Sequence, residues 1–129
     1  MTLAKELIHV GIAPITAQTV PHGTVAAVTA TSSSTLATAV ELSAGVNRVT
    51  GADGVRLPNC EAGGSCIVIN DTGSSIKVWP PTGGAIQIPG TSFGLAVVGT
   101  NTTQTLFSTI EYICVVAGAS SLWAINKSA

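Results

Sequence analysis

Charge is what this chain has least of. Charged side chains make up 9% of its 129 residues, against roughly a quarter in an ordinary soluble domain. Carboxylate-pair catalysts, metal centres and nucleic-acid interfaces all draw on clusters of ionisable groups, so each starts at a disadvantage. Five cations and six acids leave a net charge of −1, too small for a global field that gathers phosphate or anionic lipid. Histidine occurs twice, at His9 and His22, both in an N-terminal stretch ill suited to holding a base beside a nucleophile. No G-x-S-x-G elbow is present. Cysteine occurs three times, an odd number that argues against a disulfide framework. No apolar run approaches the roughly 18–20 residues that a membrane-spanning helix requires. The longest, Tyr112 to Ala119, is short and rich in β-branched residues. Met1 to Val10 includes Lys5, Glu6 and His9 and lacks the apolar centre of a signal peptide. The chain is therefore expected to stay where it is made, or to leave inside an assembly.

The remaining chemistry-bearing residues do not converge. Of the six acids, Glu6, Glu41, Asp53, Glu61 and Asp71 fall near expected element ends or turns. Glu111 sits inside a long apolar run, where it either faces solvent or pairs with Lys77 across a sheet. Cys60 and Cys66 are too widely spaced for the usual short zinc half-site, and no second pair follows. They are read as two reduced thiols, although a bridge closing the loop between them is open. Cys114, within Ile113 to Val116, is expected in the core. Gly83-Gly84 leads into a strand rather than opening a phosphate-binding helix. Trp79, before Pro80-Pro81, is either a sugar-stacking platform or a packed side chain, and packing is the more ordinary role. No catalytic, cofactor-binding or metal-binding residue is assigned, no cofactor is expected, and an enzyme is not expected.

What the chain does have is apolar surface, 46% of its residues, set among Thr, Ser, Gly and Ala. High hydropathy without a membrane span points to burial between chains, since obligate interfaces are more apolar than ordinary surface. Met1 to Gly23 reads as an arm: Leu3, Leu7 and Val10, with Ala4 and Ile8 alongside, allow two helical turns before Gly11 and Pro14. In an assembly such an arm would lie across a neighbour. Residues 24–129 read as one β domain. Strand-like stretches at Thr24–Ala30, Thr35–Leu42, Val46–Thr50, Val55–Leu57, Ala85–Ile88, Ser92–Val98, Thr105–Ala117 and Ser121–Asn126 are punctuated by turns such as Gly51-Ala52-Asp53-Gly54. Ser65 to Trp79 reads as a hairpin about Asn70–Ser75. No internal repeat is evident. The expected fold is all-β: a compact β-sandwich, jelly-roll or barrel-like domain with an extended N-terminal arm.

Three blocks carry a resemblance: "SAGVNRVTGADGVRLP" (Ser43 to Pro58), "IVINDTGSSIKVWPPTGGAI" (Ile67 to Ile86) and "YICVVAGASSLWAI" (Tyr112 to Ile125). Together they resemble the capsid decoration (cement, head-stabilising) proteins of tailed bacteriophages. The resemblance implies a β-rich homotrimer docked on the outer capsid surface of a virion made in the host cytoplasm. Its partner would be the major capsid protein, with no nucleic acid or membrane involved. A tail fibre, spike or baseplate module binding host surface glycan is the alternative. Within these blocks Asp53 can close an Asx-turn, and Arg56 points away from the face shared by Val55 and Leu57. Arg48 and Arg56 stand out in so uncharged a chain. Each is a candidate for pairing with a carboxylate on a neighbouring subunit, or with one in its own chain, such as Asp53. The candidate subunit or capsid contacts are Leu3, Leu7, Ile8, Arg48, Asp53, Arg56 and Trp79.

Overall fold

The computed structural model describes residues 25–88 and 91–126. Leu3, Leu7, Ile8 and the rest of the expected arm lie outside the described residues. The fold is all-β: the described residues form two mixed sheets and one 3-10 turn at Phe93–Leu95.

The chain alternates between the sheets. Strands β1 (Ala26–Thr29), β3 (Gly45–Thr50) and β5 (Ser65–Asn70) run parallel, side by side, in the larger sheet. Strands β2 (Val40–Glu41), β4 (Gly54–Arg56) and β6 (Ile76–Trp79) do the same in the smaller one. Three rungs are thus stacked, each made of one strand per sheet. Beyond them β7 (Ala85–Ile86) takes the far edge of the larger sheet, and β8 (Thr102–Gln104) runs antiparallel to β6 in the smaller. β9 (Thr109–Val116) and β10 (Leu122–Asn126) fill the larger sheet between β5 and β7. The stack has a constant step in the larger sheet: Ala26 faces Asn47 and Gly45 faces Cys66, 21 residues on in both cases. This recurrence rests on strand spacing and not on residue identity, which is why the sequence shows no repeat.

One core unites both sheets. Val49, Val68, Tyr112, Cys114 and Trp123 from the larger sheet meet Val55, Ile76 and Val78 from the smaller, all essentially inaccessible. Period-2 alternation puts them there: in β5, Cys66, Val68 and Asn70 point in while Ile67 and Ile69 point out. The glycines of the turn after β3 have distinct tasks. Gly51 adopts φ +75°, and Gly54 is buried where an added Cβ would strike the Ser34 side chain.

Four expectations about local structure change. Ser65 to Trp79 is not a hairpin, because β5 and β6 lie in different sheets and pair with other strands. The turn between them arches over the core. Thr35 to Leu42 does not form a continuous strand. Thr35 and Thr38 exchange hydrogen bonds that close a turn, which leaves Val40–Glu41 as the strand. Ser92 to Val98 contains the 3-10 turn, with the Ser92 hydroxyl accepting the Gly94 N–H. Thr105 to Ala117 is interrupted, because residues 105–108 turn the chain from β8 into β9.

Candidate contact site

The ionisable residues singled out in the sequence are engaged within the chain. Arg48 projects from the outer face of β3, and its Nε and Nη2 both approach one oxygen of Asp71, at 2.8 and 2.6 Å. Arg56 donates from Nη1 to the Leu36 carbonyl at 3.1 Å and faces Glu41, not Asp53, at 3.8 Å. Asp53 does not close a turn of its own. Its Oδ1 accepts the Ser34 N–H at 2.8 Å from the neighbouring rung, and its Oδ2 lies 3.5 Å from the Lys77 ammonium. The Ser34 hydrogen bonds, backbone first, hold this carboxyl below the usual carboxylate range, with Lys77 adding to the effect. Lys77 therefore does not meet Glu111, which lies in the other sheet and accepts a hydrogen bond from Asn126. Trp79 is half-buried and donates its Nε1–H to the Ser34 hydroxyl at 3.1 Å. Ser34 thus ties together Asp53, in the turn before β4, and Trp79, at the end of β6. Among the described residues, all three cations are ion-paired inside the chain. Such exposed pairs contribute roughly 0–1 kcal/mol each, but they leave little charge to offer a partner.

The thiols are structural. Cys60, Cys66 and Cys114 are free. Burial pushes the Cys66 thiol up to about 12, with Cys60 adding to the shift. Among the described residues, no group of three His, Cys, Asp or Glu could hold a metal ion.

Exposed large apolar side chains concentrate in two loops. Leu95, Val97 and Val98 are 57–64% exposed, with Ile88 and Phe93 beside them in sequence. Leu106 and Phe107 form a tip between β8 and β9, and Phe107 is 69% exposed. The two loops are linked through β8. Thr102 and Thr103 of β8 line a groove of about 290 Å³ with Ile88 and Val97, and β8 then runs directly to the tip across only ~10 Å. A second, larger cleft of about 520 Å³ is lined by Glu41, Arg56, Asn59 and Thr82. It brings together no reactive groups beyond the Arg56–Glu41 pair.

The tip is held in place from beneath. Phe107 adopts φ +53°, a left-handed conformation that costs a bulky side chain roughly 1–3 kcal/mol. Three buried side chains fix the turn. Asn70 donates to the carbonyls of Gln104 and Thr105 at 3.2 and 2.9 Å. Gln104 donates to the carbonyls of Ser108 and Val68 at 3.0 and 2.7 Å. The Tyr112 hydroxyl donates to Gln104 Oε1 at 3.0 Å, and burial pushes its pKa up. Among the described residues, no buried side-chain nitrogen or oxygen lacks a partner. The result is a rigid mount for an exposed Leu-Phe pair. Sequence reasoning missed it by extending one strand through Thr105–Ala117. The available signal was Asn70, an amide at an inward position of the apolar stretch Cys66–Ile69, whereas Gln104 sits among threonines.

The outer face of the larger sheet is mixed, with Arg48, Ser65 and Glu111 among its apolar side chains. Val46 pairs with Ile67, and Ile113 lies opposite Ser65 on the same side, with exposed Val115 further along β9. The chain matches no family model, no curated protein and no solved structure.

Proposed function

We propose that this chain is a non-catalytic structural protein of a phage virion. It binds the outer surface of the capsid as an oligomer, a homotrimer, and stabilises contacts between major capsid proteins. The observation that carries the contact role is the rigidly mounted Leu106–Phe107 tip beside the apolar 93–98 loop, in a chain whose described cations are internally paired. The resemblance of Ser43–Ile125 to capsid decoration proteins supplies the partner. In this reading the two sheets face each other as a compact sandwich. The loops grip the shell, and the outer face of the larger sheet, where Val46, Ile67 and Ile113 lie, meets sister subunits.

The physics favours such a role. Fully burying a Phe or Leu contributes roughly 1.5–3 kcal/mol, and aromatic anchors in rigid settings dominate interface energetics. One tip gives weak binding. Three tips on one trimer raise the effective concentration of each further contact. Apolar attachment also implies that occupancy changes little with salt. Trp79, whose indole N–H is satisfied by Ser34, is poorly placed to act as the sugar platform of a glycan-binding module.

The test is occupancy on purified shells that lack this protein. Leu106→Ser with Phe107→Ser is expected to cut occupancy at least tenfold while leaving the far-UV CD spectrum unchanged. Wild-type protein that fails to bind any shell, or undiminished binding by the double variant, would overturn the reading.

A further inference from the structure

The cleft of about 520 Å³ lies at the end of the fold away from the Leu106–Phe107 tip. The tip follows Gln104, whose partner Ile76 begins β6, whereas the cleft's Pro81 and Thr82 follow Trp79, which ends that strand. In the larger sheet the tip precedes Thr109 at the start of β9, and the cleft's Gly118 and Ala119 follow Val116 at its end. That strand alone separates the two by roughly 25 Å. Small-molecule sites are clefts of roughly 300–1,000 Å³, so the space is of the right order.

Backbone contacts fix the walls. The parallel register sets Glu41 beside Arg56 on the outer face of the smaller sheet. The loop after β6 is held against the loop after β9. Ala85 donates its N–H to the Ser121 carbonyl at 2.9 Å, and Gly84 donates to Pro81 at 2.8 Å. Gly83, at φ +82°, packs so close that an added Cβ would strike the Ala119 carbonyl. Arg56 is anchored as well, because its Nη1 donates to the Leu36 carbonyl at 3.1 Å.

The polar groups select the ligand. Arg56 Nη2 and Glu41 Oε1 stand 3.8 Å apart, beyond hydrogen-bond reach. An anion here meets the Glu41 carboxylate, and a cation meets the Arg56 guanidinium. A hydroxyl suits both, because it accepts from Nη2–H and donates to Oε1 at once. Both bonds are charge-assisted, the stronger kind. Asn59 and Thr82, each exposed, supply further donors and acceptors, and Pro81 and Ala119 supply apolar wall. We propose that this cleft binds a neutral carbohydrate of mono- or disaccharide size, with a ring hydroxyl bridging Arg56 and Glu41. The site stands on its own geometry, and only its direction rests on the capsid reading. With the tip on the shell, the cleft faces away from it, open to saccharides outside the particle.

Amide NMR of the isolated full chain tests this, with glucose, galactose, N-acetylglucosamine, lactose and cellobiose each added to about 100 mM. At least one sugar should shift the amides of Asn59, Thr82, Gly118 and Ala119 saturably and leave those of Leu106 and Phe107 unmoved. Glu41→Ala removes a side chain that is 50% exposed, and Ala119→Trp fills the cleft from an exposed turn. Each should weaken binding at least tenfold with the spectrum otherwise native. Should Ala119→Trp fail to fold, Glu41→Ala provides the comparison. No saturable shift with any of these sugars would overturn the proposal. So would shifts that survive Glu41→Ala, or binding of glycine, a zwitterion, in place of every sugar. The variant carrying Leu106→Ser and Phe107→Ser separates this site from the shell contact: it should lose shell occupancy and keep its sugar affinity. Loss of sugar affinity in that variant would move the site to the tip and overturn the proposal.

Discussion

Replacing Gln104 with Leu should cost more stability than replacing Gln104 and Tyr112 together. Gln104 is fully buried and makes three hydrogen bonds, to the carbonyls of Val68 and Ser108 and from the hydroxyl of Tyr112. The two carbonyls are not orphaned by its loss. Ser108 still accepts the Asn70 N–H at 2.8 Å, and the same antiparallel register makes Val68 and Ile110 a hydrogen-bonded pair. Each forfeits a second bond, about 0.5–1 kcal/mol. The Tyr112 hydroxyl is in a different position, because it is buried and Gln104 Oε1 is its acceptor. Stranding it costs about 1–3 kcal/mol, so Gln104→Leu should lose about 2–5 kcal/mol in all. Tyr112→Phe alone leaves Oε1 without its donor and should lose about 1–2 kcal/mol. The double variant removes both partners and strands neither, leaving only the carbonyl losses of about 1–2 kcal/mol. Urea unfolding at neutral pH measures this, with stability read from midpoints at constant slope. A double variant no more stable than Gln104→Leu would refute the assignment of Tyr112 and Gln104 as a closed buried pair.

Other consequences can be checked in the same way. Phe107→Gly relieves the left-handed strain at the tip and should leave the isolated chain as stable or up to ~1 kcal/mol more stable, with weaker shell occupancy; a loss above that amount in urea titration would contradict an unsupported, exposed side chain. Gly54→Ala should destabilise by about 2–4 kcal/mol, because the new methyl displaces Ser34 and crowds the Lys77 carbonyl at 3.1 Å; thermal unfolding with Trp79 fluorescence would report both effects. Asp53 has a folded pKa below its unfolded value, so its contribution is present above the unfolded pKa near 3.8 and is lost as pH falls through the folded one. Asp53→Asn should therefore flatten the acid limb of a stability-versus-pH curve. Cys66 and Tyr112 have raised pKa values, so their neutral forms stabilise the fold below the unfolded values of 9.0 and 10.0 and that contribution is lost as pH rises further. Half-buried Cys60 should be alkylated first in the native state, with Cys66 and Cys114 following only on unfolding, as mass spectrometry of timed samples would show.

The sequence made the all-β class and most strand positions readable, because Gly, Pro, Asn and Asp mark where the chain reverses. It did not reveal which strands pair. Asn70 to Ser75 reverses the chain in the same way whether the next strand returns in the same sheet or crosses to the opposite one. Here Asn70 settles the choice by donating to Ser74, Gln104 and Thr105, partners up to 35 residues away. Similarly, the alternation of Leu36, Thr38, Val40 and Leu42 looks like a strand. The local Thr35–Thr38 hydrogen bonds win over part of it. Arg48 and Arg56 were conspicuous by composition, yet their partners Asp71 and Glu41 depended on the parallel register. The Leu106–Phe107 tip was hidden because nothing local distinguishes an exposed Phe from a buried one. Only the buried amides beneath it identify the turn.

Parallel rungs also impose a timetable on synthesis. The β3 side of β5 is satisfied by residues already made, but its opposite side waits for β9. Ile69 pairs with Thr109 and Ser65 with Ile113, 40 to 48 residues later. At ribosomal speeds of roughly 5–20 residues per second, that wait lasts on the order of 2–10 s. Throughout it, Cys66-Ile67-Val68-Ile69 presents a bare, greasy border to every other nascent chain nearby. Expression yield should therefore respond to how fast codons 70–113 are translated.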